Sequence, residues 1–213
     1  MDANCDVRQD CTIFRKKQIP APRPMKTSHE NRQLRCFLGL GFPLAREIRS
    51  LQQSLLHIAS EPRSKLRVVD ESNLHVTLKF LGVTDHESIP VLQKLLSTIR
   101  LEQAPIELDC RGLGFFNNSI WLGIEQNESL SELAYLLDSK CASLGFRMER
   151  KAYQPHVTVA RFNKNARFDL SRLMTAYSGS KWGTFSAAEF NLYESKTLPQ
   201  GARYSIIDTY SLR

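Results

Sequence analysis

The tripeptide His-Val-Thr occurs twice, at residues 75–77 within NLHVTLKF and at residues 156–158 within YQPHVTVARF. Each copy sits in an apolar run that reads as a strand. Side chains on a strand alternate between faces. His75, Thr77 and Lys79 therefore share one face, and Val76, Leu78 and Phe80 share the other, which should cover helices. In the second copy His156 and Thr158 share a face while Val157 and Val159 turn to the core. Arg161 falls on the core side by strict alternation and has to twist out at the strand end to join the polar group.

Two imidazoles and two hydroxyls around one space can open a phosphodiester. Histidine titrates near neutrality, so a neutral ring can take a proton from water while a charged ring gives one to a leaving oxygen. Hydroxyls of Thr77 and Thr158 can donate hydrogen bonds to phosphate oxygens. Lys79 and Arg161, if in reach, offset the charge that develops. His29, His57 and His86 lack such a context and read as structural or exposed. Two histidines without a carboxylate or cysteine beside them fall short of a zinc set, so no metal is expected. RGLG at 111–114 matches neither a P-loop nor a dinucleotide fingerprint. The elbow motif of serine hydrolases is missing too.

The elements that must position these residues follow from periodicity. LRCFLGL at 34–40 reads as a buried strand, and Pro43 then opens a helix carrying Leu44, Ile48, Leu51, Leu55 and Ile58 on one face. Pro62 ends that helix. A short strand over 66–69 leads to the first His-Val-Thr strand, and a second helix carries Ile89, Leu92, Leu95, Leu96 and Ile99. Residues 106–116 and 119–125 form a hairpin turning at Asn117-Asn118. A third helix follows, with Leu130, Leu133, Leu137, Cys141 and Leu144 on a stripe. After the second His-Val-Thr strand come a helical segment near 169–176 and two strands, 184–194 and 203–210. The two motifs lie 81 positions apart (156 − 75) in similar surroundings, as in a duplicated α+β unit. Short turns between neighbouring strands favour antiparallel pairing.

The chain has 213 residues and a formal net charge of +7, which suits one sizeable domain and a phosphate-bearing partner. Residues 1–33 hold seven Lys or Arg against four Asp or Glu and read as a flexible basic tail. A start at Met25 would leave only a short leader before the ordered part. No apolar run reaches the roughly 18 residues of a membrane span, and no secretory signal is recognisable. Five scattered cysteines without a CxxC pair suggest reduced structural thiols and a cytoplasmic protein.

The paired motifs resemble the 2H phosphoesterase superfamily, and within it the bacterial RNA 2′,3′-cyclic phosphodiesterases, once described as 2′-5′ RNA ligases. The resemblance runs from about Leu34 to the C-terminus through five blocks in order: RCFLGLGFP, NLHVTLKFLG, RGLGFF with IWLGIE, YQPHVTVARF and NLYESKTLPQGARYSIIDTYSL. It departs at Asn117-Asn118-Ser119, where relatives often hold a basic residue and a proline. It implies an α+β, bilobal fold with two antiparallel sheets lining a central cleft and helices outside, formed by residues 34–213. It implies hydrolysis of a terminal 2′,3′-cyclic phosphate on RNA to a 2′-phosphate without a cofactor. His75 would be the proton donor, His156 the proton acceptor, and Thr77 and Thr158 would hold the phosphate. Among the candidates for stacking a base, Phe37, Phe115, Phe116 and Trp121 are of a kind more often found in the core, and Tyr153, just before Pro155 at a strand entrance, is the favoured one. A monomer is expected. Two alternatives remain open: the same chemistry on a small cyclic-phosphate nucleotide, and a non-catalytic module that binds RNA ends.

Overall fold

The computed structural model describes residues 33–43, 45–58, 66–102, 104–116, 118–163, 170–199 and 201–213. The expected tail thus lies outside the described residues except Gln33, which opens the first strand. The same holds for Leu44, Pro62 and Asn117. The elements are β1 (Gln33–Gly41), α1 (Arg46–Ile58), β2 (Arg67–Val68), β3 (His75–Asp85), α2 (Ile89–Leu96), β4 (Ile106–Phe116), β5 (Ser119–Ile124), α3 (Glu128–Ala142), β6 (His156–Arg161), α4 (Leu170–Tyr177), β7 (Lys181–Ala187), β8 (Glu189–Leu198) and β9 (Gly201–Ser211). A 3-10 turn, Glu71–Asn73, leads into β3.

Hydrogen bonding runs through the strands in the order β7-β4-β5-β6-β3-β1-β8-β9, with β2 added on β6. Every pairing is antiparallel. Among the described residues the middle of this ladder is one pair, Val76 opposite Val157. Two antiparallel lobes therefore meet where the two His-Val-Thr strands touch. The lobes are not consecutive halves of the chain: β8, from the C-terminal end, pairs onto β1 and carries β9 on its other edge, while β2, from the N-terminal part, pairs onto β6. The stretch expected as one strand over 184–194 is two strands, broken at Ala188. There β7 leaves its partner β4, and the chain crosses to the other lobe as β8.

The helices cover one side of the lobes with the stripes their periodicity foretells. Ile48, Leu51 and Leu55 of α1 are buried, as are Ile89, Leu92 and Leu96 of α2. In α3 the stripe Leu130, Leu133, Leu137 and Cys141 is buried, whereas Leu144, past the helix end, is exposed. The Asn127 carboxamide oxygen accepts from the Leu130 amide at 2.9 Å and caps α3. Gln52, a buried polar residue of α1, donates to the carbonyls of Val69 (2.8 Å) and Val159 (3.1 Å), so α1 is fastened across β2 and β6. Cys36, Cys110 and Cys141 are free and buried, and burial pushes their thiols up to about 11, 12 and 11.

Candidate active site

His75 begins β3 and His156 begins β6. Carrying the Val76–Val157 register one residue each way puts His75 opposite Thr158 and Thr77 opposite His156. Both valines are fully buried and the four polar residues are half-buried, so the quartet shares the face away from the helices. His75 Nδ1 lies 2.7 Å from the Asn73 carbonyl oxygen, and His156 Nδ1 lies 2.8 Å from that of Gln154. A carbonyl only accepts, so each Nδ1 carries its hydrogen and each Nε2 keeps a lone pair for the cleft. The two lobes hold their histidines in the same way.

Aromatic rings fix both imidazoles. Phe37 lies against His75 at a centroid distance of 4.8 Å, and Tyr204 meets it edge-on at 5.0 Å. Phe116 meets His156 edge-on at 5.0 Å, and Trp121 lies 5.8 Å away. Gly114 makes room for that indole, since a Cβ there would stand 2.2 Å from a ring carbon of Trp121. Asn73, whose carbonyl orients His75, is itself held by β9: its Nδ2 donates to the Ala202 carbonyl (2.9 Å) and its Oδ1 accepts from the Tyr204 amide (3.0 Å).

Burial pushes the His75 imidazolium down to about 4, with the positive charges of Arg161 and His156 adding to the effect against the Asn73 hydrogen bond. His156 is lowered too, first by burial and then by Arg161. Both shifts favour the neutral form of the rings.

Arg161 is brought into the site and Lys79 is not, for one reason. Opposite β1, Leu38 pairs with Lys79 and Gly39 with Thr77, which leaves Leu78 as a bulge. Opposite β5, Ile120 pairs with Ala160 and Trp121 with Thr158, which leaves Val159 as a bulge at the equivalent place. An extra residue reverses the alternation beyond it. Arg161 thus turns out to the cleft, where its guanidinium donates to Ser119 Oγ at 3.0 Å. Lys79 turns inward, 5% exposed, where its ammonium pairs with Asp138 of α3 and donates to the Arg147 carbonyl. The expected place for Lys79 beside the phosphate is therefore corrected. Phe80, expected in the core, is 69% exposed by the same shift.

Tyr153 is a second correction. Its ring is half-buried against the core and its hydroxyl donates to the Thr77 carbonyl at 3.0 Å, so it fastens β3 and is not offered for stacking. Among the described residues the exposed aromatic rings include Phe115 (48%) and Phe116 (39%) on β4, Phe80 on β3 and Tyr135 on α3. Phe37, read as core, is buried as expected yet forms the bed of His75. His57 and His86 are exposed, and His29 lies outside the described residues. Among the described residues no group of three or more His, Cys, Asp and Glu converges as a metal ion would need. A cavity of about 660 Å³ opens at the site, with His75, Thr158 and Arg161 in its wall. Asp70, which sequence reasoning left aside, also lines it, with its carboxylate accepting from the Ser72 amide (3.0 Å) and hydroxyl (2.6 Å).

Two antiparallel lobes joined at a pair of His-x-Thr strands define a phosphoesterase of the two-histidine class. The chain belongs to the 2′-5′ RNA ligase superfamily, whose family model matches residues 42–197. It is 32% identical to the RNA 2′,3′-cyclic phosphodiesterase of Methanocaldococcus jannaschii over 182 residues, 82% of this chain and 98% of that protein. It is 30% identical to the Escherichia coli RNA 2′,3′-cyclic phosphodiesterase over 182 residues, 84% of this chain and 96% of the other. The crystal structure of E. coli LigT complexed with 3′-AMP superposes with a TM-score of 0.65 at 26% identity, covering 85% of this chain and 99% of that one. Among the described residues no helix is long and apolar enough to cross a membrane.

Proposed function

We propose that this protein is an RNA 2′,3′-cyclic phosphodiesterase that opens the cyclic phosphate to a 2′-phosphate by two-histidine acid–base catalysis. The observation that carries this reading is the matched pair of imidazoles, each donating from Nδ1 to the carbonyl two residues before it and each presenting Nε2. The names of the relatives in M. jannaschii and E. coli support the substrate class.

Water attacks phosphorus, and Nε2 of His156 takes its proton. The bond from phosphorus to the ribose 3′ oxygen breaks, and Nε2–H of His75 gives its proton to that oxygen. The product carries a 2′-phosphate and a 3′-hydroxyl; His75 ends neutral and His156 charged, and exchange with solvent restores the pair. Thr77, Thr158 and Arg161 donate hydrogen bonds to the non-bridging oxygens, and Arg161 balances charge in the transition state. The anionic phosphate also raises the pKa of the acid and so favours, with a proton taken up from solvent, the charged ring that burial disfavours.

Replacing His75 or His156 by Ala lowers kcat on a cyclic-phosphate RNA by at least about 100-fold, the scale of a lost general acid or base. A substrate with sulfur in place of the bridging 3′ oxygen separates the roles, because a thiolate departs without protonation. It rescues His75→Ala and leaves His156→Ala inactive. Rescue of His156→Ala alone would reverse the assignment, and near-full activity of either variant on the ordinary substrate would end the two-histidine reading.

A further inference from the structure

The cavity extends beyond what one phosphate needs. From His75, Thr158 and Arg161 it continues to Arg67 of β2 and Arg203 of β9. Arg67 is the cross-strand partner of Arg161. Directly opposed residues of an antiparallel pair stand about 5 Å apart at their Cα atoms, and like charges so placed repel. Among the described residues neither Arg67, Arg161 nor Arg203 has a carboxylate partner. The nearest acid in the cavity wall, Asp70, is engaged by Ser72. Three arginines against one carboxylate leave this cavity strongly positive, and an anion between or beside the two guanidiniums would relieve the repulsion of the opposed pair.

The walls of this extension are fixed. Arg67 donates to the Pro199 carbonyl at 3.1 Å, and Asn73 holds Ala202 and Tyr204, so the β8–β9 hairpin is latched to the segment that carries β2 and leads to His75. The positive track is thus continuous with the reacting centre. Resting on the function proposed above, we propose that Arg67 and Arg203 bind the internucleotide phosphate on the 5′ side of the cyclic end. The preferred substrate is then an RNA strand of at least two nucleotides, which has such a phosphate, and not a mononucleotide, which does not.

The test compares kcat/KM for adenosine 2′,3′-cyclic phosphate with that for the dinucleotide ApA ending in a 2′,3′-cyclic phosphate. The wild-type protein favours the dinucleotide at least tenfold, with the steeper fall in added salt for the dinucleotide. Arg67→Ala and Arg203→Ala each cut that preference several-fold, and the double variant brings it close to one by losing the dinucleotide. Equal rates on the two substrates in the wild type, or an undiminished preference in the double variant, would overturn the inference while leaving the proposed function standing. ADP-ribose 1″,2″-cyclic phosphate, whose second phosphates form a diphosphate, is the third arm. If it outcompetes the dinucleotide, the RNA assignment is wrong. Failure of the wild type on all three substrates would instead contradict the proposed function itself.

Discussion

At the scale of the residue, the histidines and threonines were legible and their cationic neighbours were not. Alternation within each motif needs only three consecutive residues, and the bulge falls one residue after each threonine. Leu78 and Val159 occupy the bulges, and an ordinary aliphatic residue carries no sign of one. Hence Lys79, Phe80 and Arg161 all came out on the wrong face by simple counting. Lys79 is now expected to serve stability. Lys79→Met strands the Asp138 carboxylate and costs about 3 kcal/mol, as for other broken buried pairs, while kcat/KM stays within about threefold. Urea unfolding and steady-state kinetics on the same preparation check both halves. In the proposed mechanism Arg161 acts on proton transfer as well as on phosphate. The proposed mechanism needs one charged and one neutral ring, and burial and Arg161 hold both imidazoles below their ordinary value of 6.5. The bell of kcat/KM against pH in the free enzyme therefore centres below pH 6.5. Removing Arg161 takes away a charge that disfavours both imidazolium forms, so Arg161→Ala moves both limbs upward as it lowers the peak. A wild-type bell centred at pH 7 or above, or an unmoved bell in the variant, contradicts this electrostatic picture.

At the scale of the element, the helices were read with their buried stripes because a 3.6-residue period against one core leaves a plain record. The strand break at Ala188 was not, since AAEF continues an apolar run with no Gly or Pro to mark where β7 ends and β8 begins. Tyr153 misled for a related reason: a Tyr before a Pro reads as exposed, but its hydroxyl found a backbone carbonyl on the neighbouring strand. The close approach of β1 to β3 depends on Gly39. A Cβ there would lie 2.8 Å from the Val76 carbonyl oxygen and 3.6 Å from Cδ2 of His75. Gly39→Ala pushes against backbone on one side and the ring on the other. It is expected to cost about 1–3 kcal/mol in denaturant unfolding and to lower kcat by disturbing His75. Unchanged stability would show that β1 can shift without loss.

At the scale of the whole molecule, two similar lobes give one symmetric site an asymmetric surround. Equivalent positions after the bulges carry Phe80 on one strand and Arg161 on the other. The cavity with its arginines opens on the side walled by β2 and the β8–β9 hairpin. Nothing in a linear reading places Arg67 and Arg203 together, because they come from strands 136 positions apart (203 − 67) that meet only through the crossing of β8 and β9 into the first lobe. The fold class could be read from order and period; the shape of the cavity could not. The measurement that most directly tests the account is the fate of a short RNA ending in a 2′,3′-cyclic phosphate, incubated with the protein in excess EDTA and analysed for its terminal phosphate. The account predicts a 2′-phosphate with a 3′-hydroxyl, formed at the same rate as without EDTA. An intact cyclic end, a 3′-phosphate, or activity abolished by EDTA would contradict it.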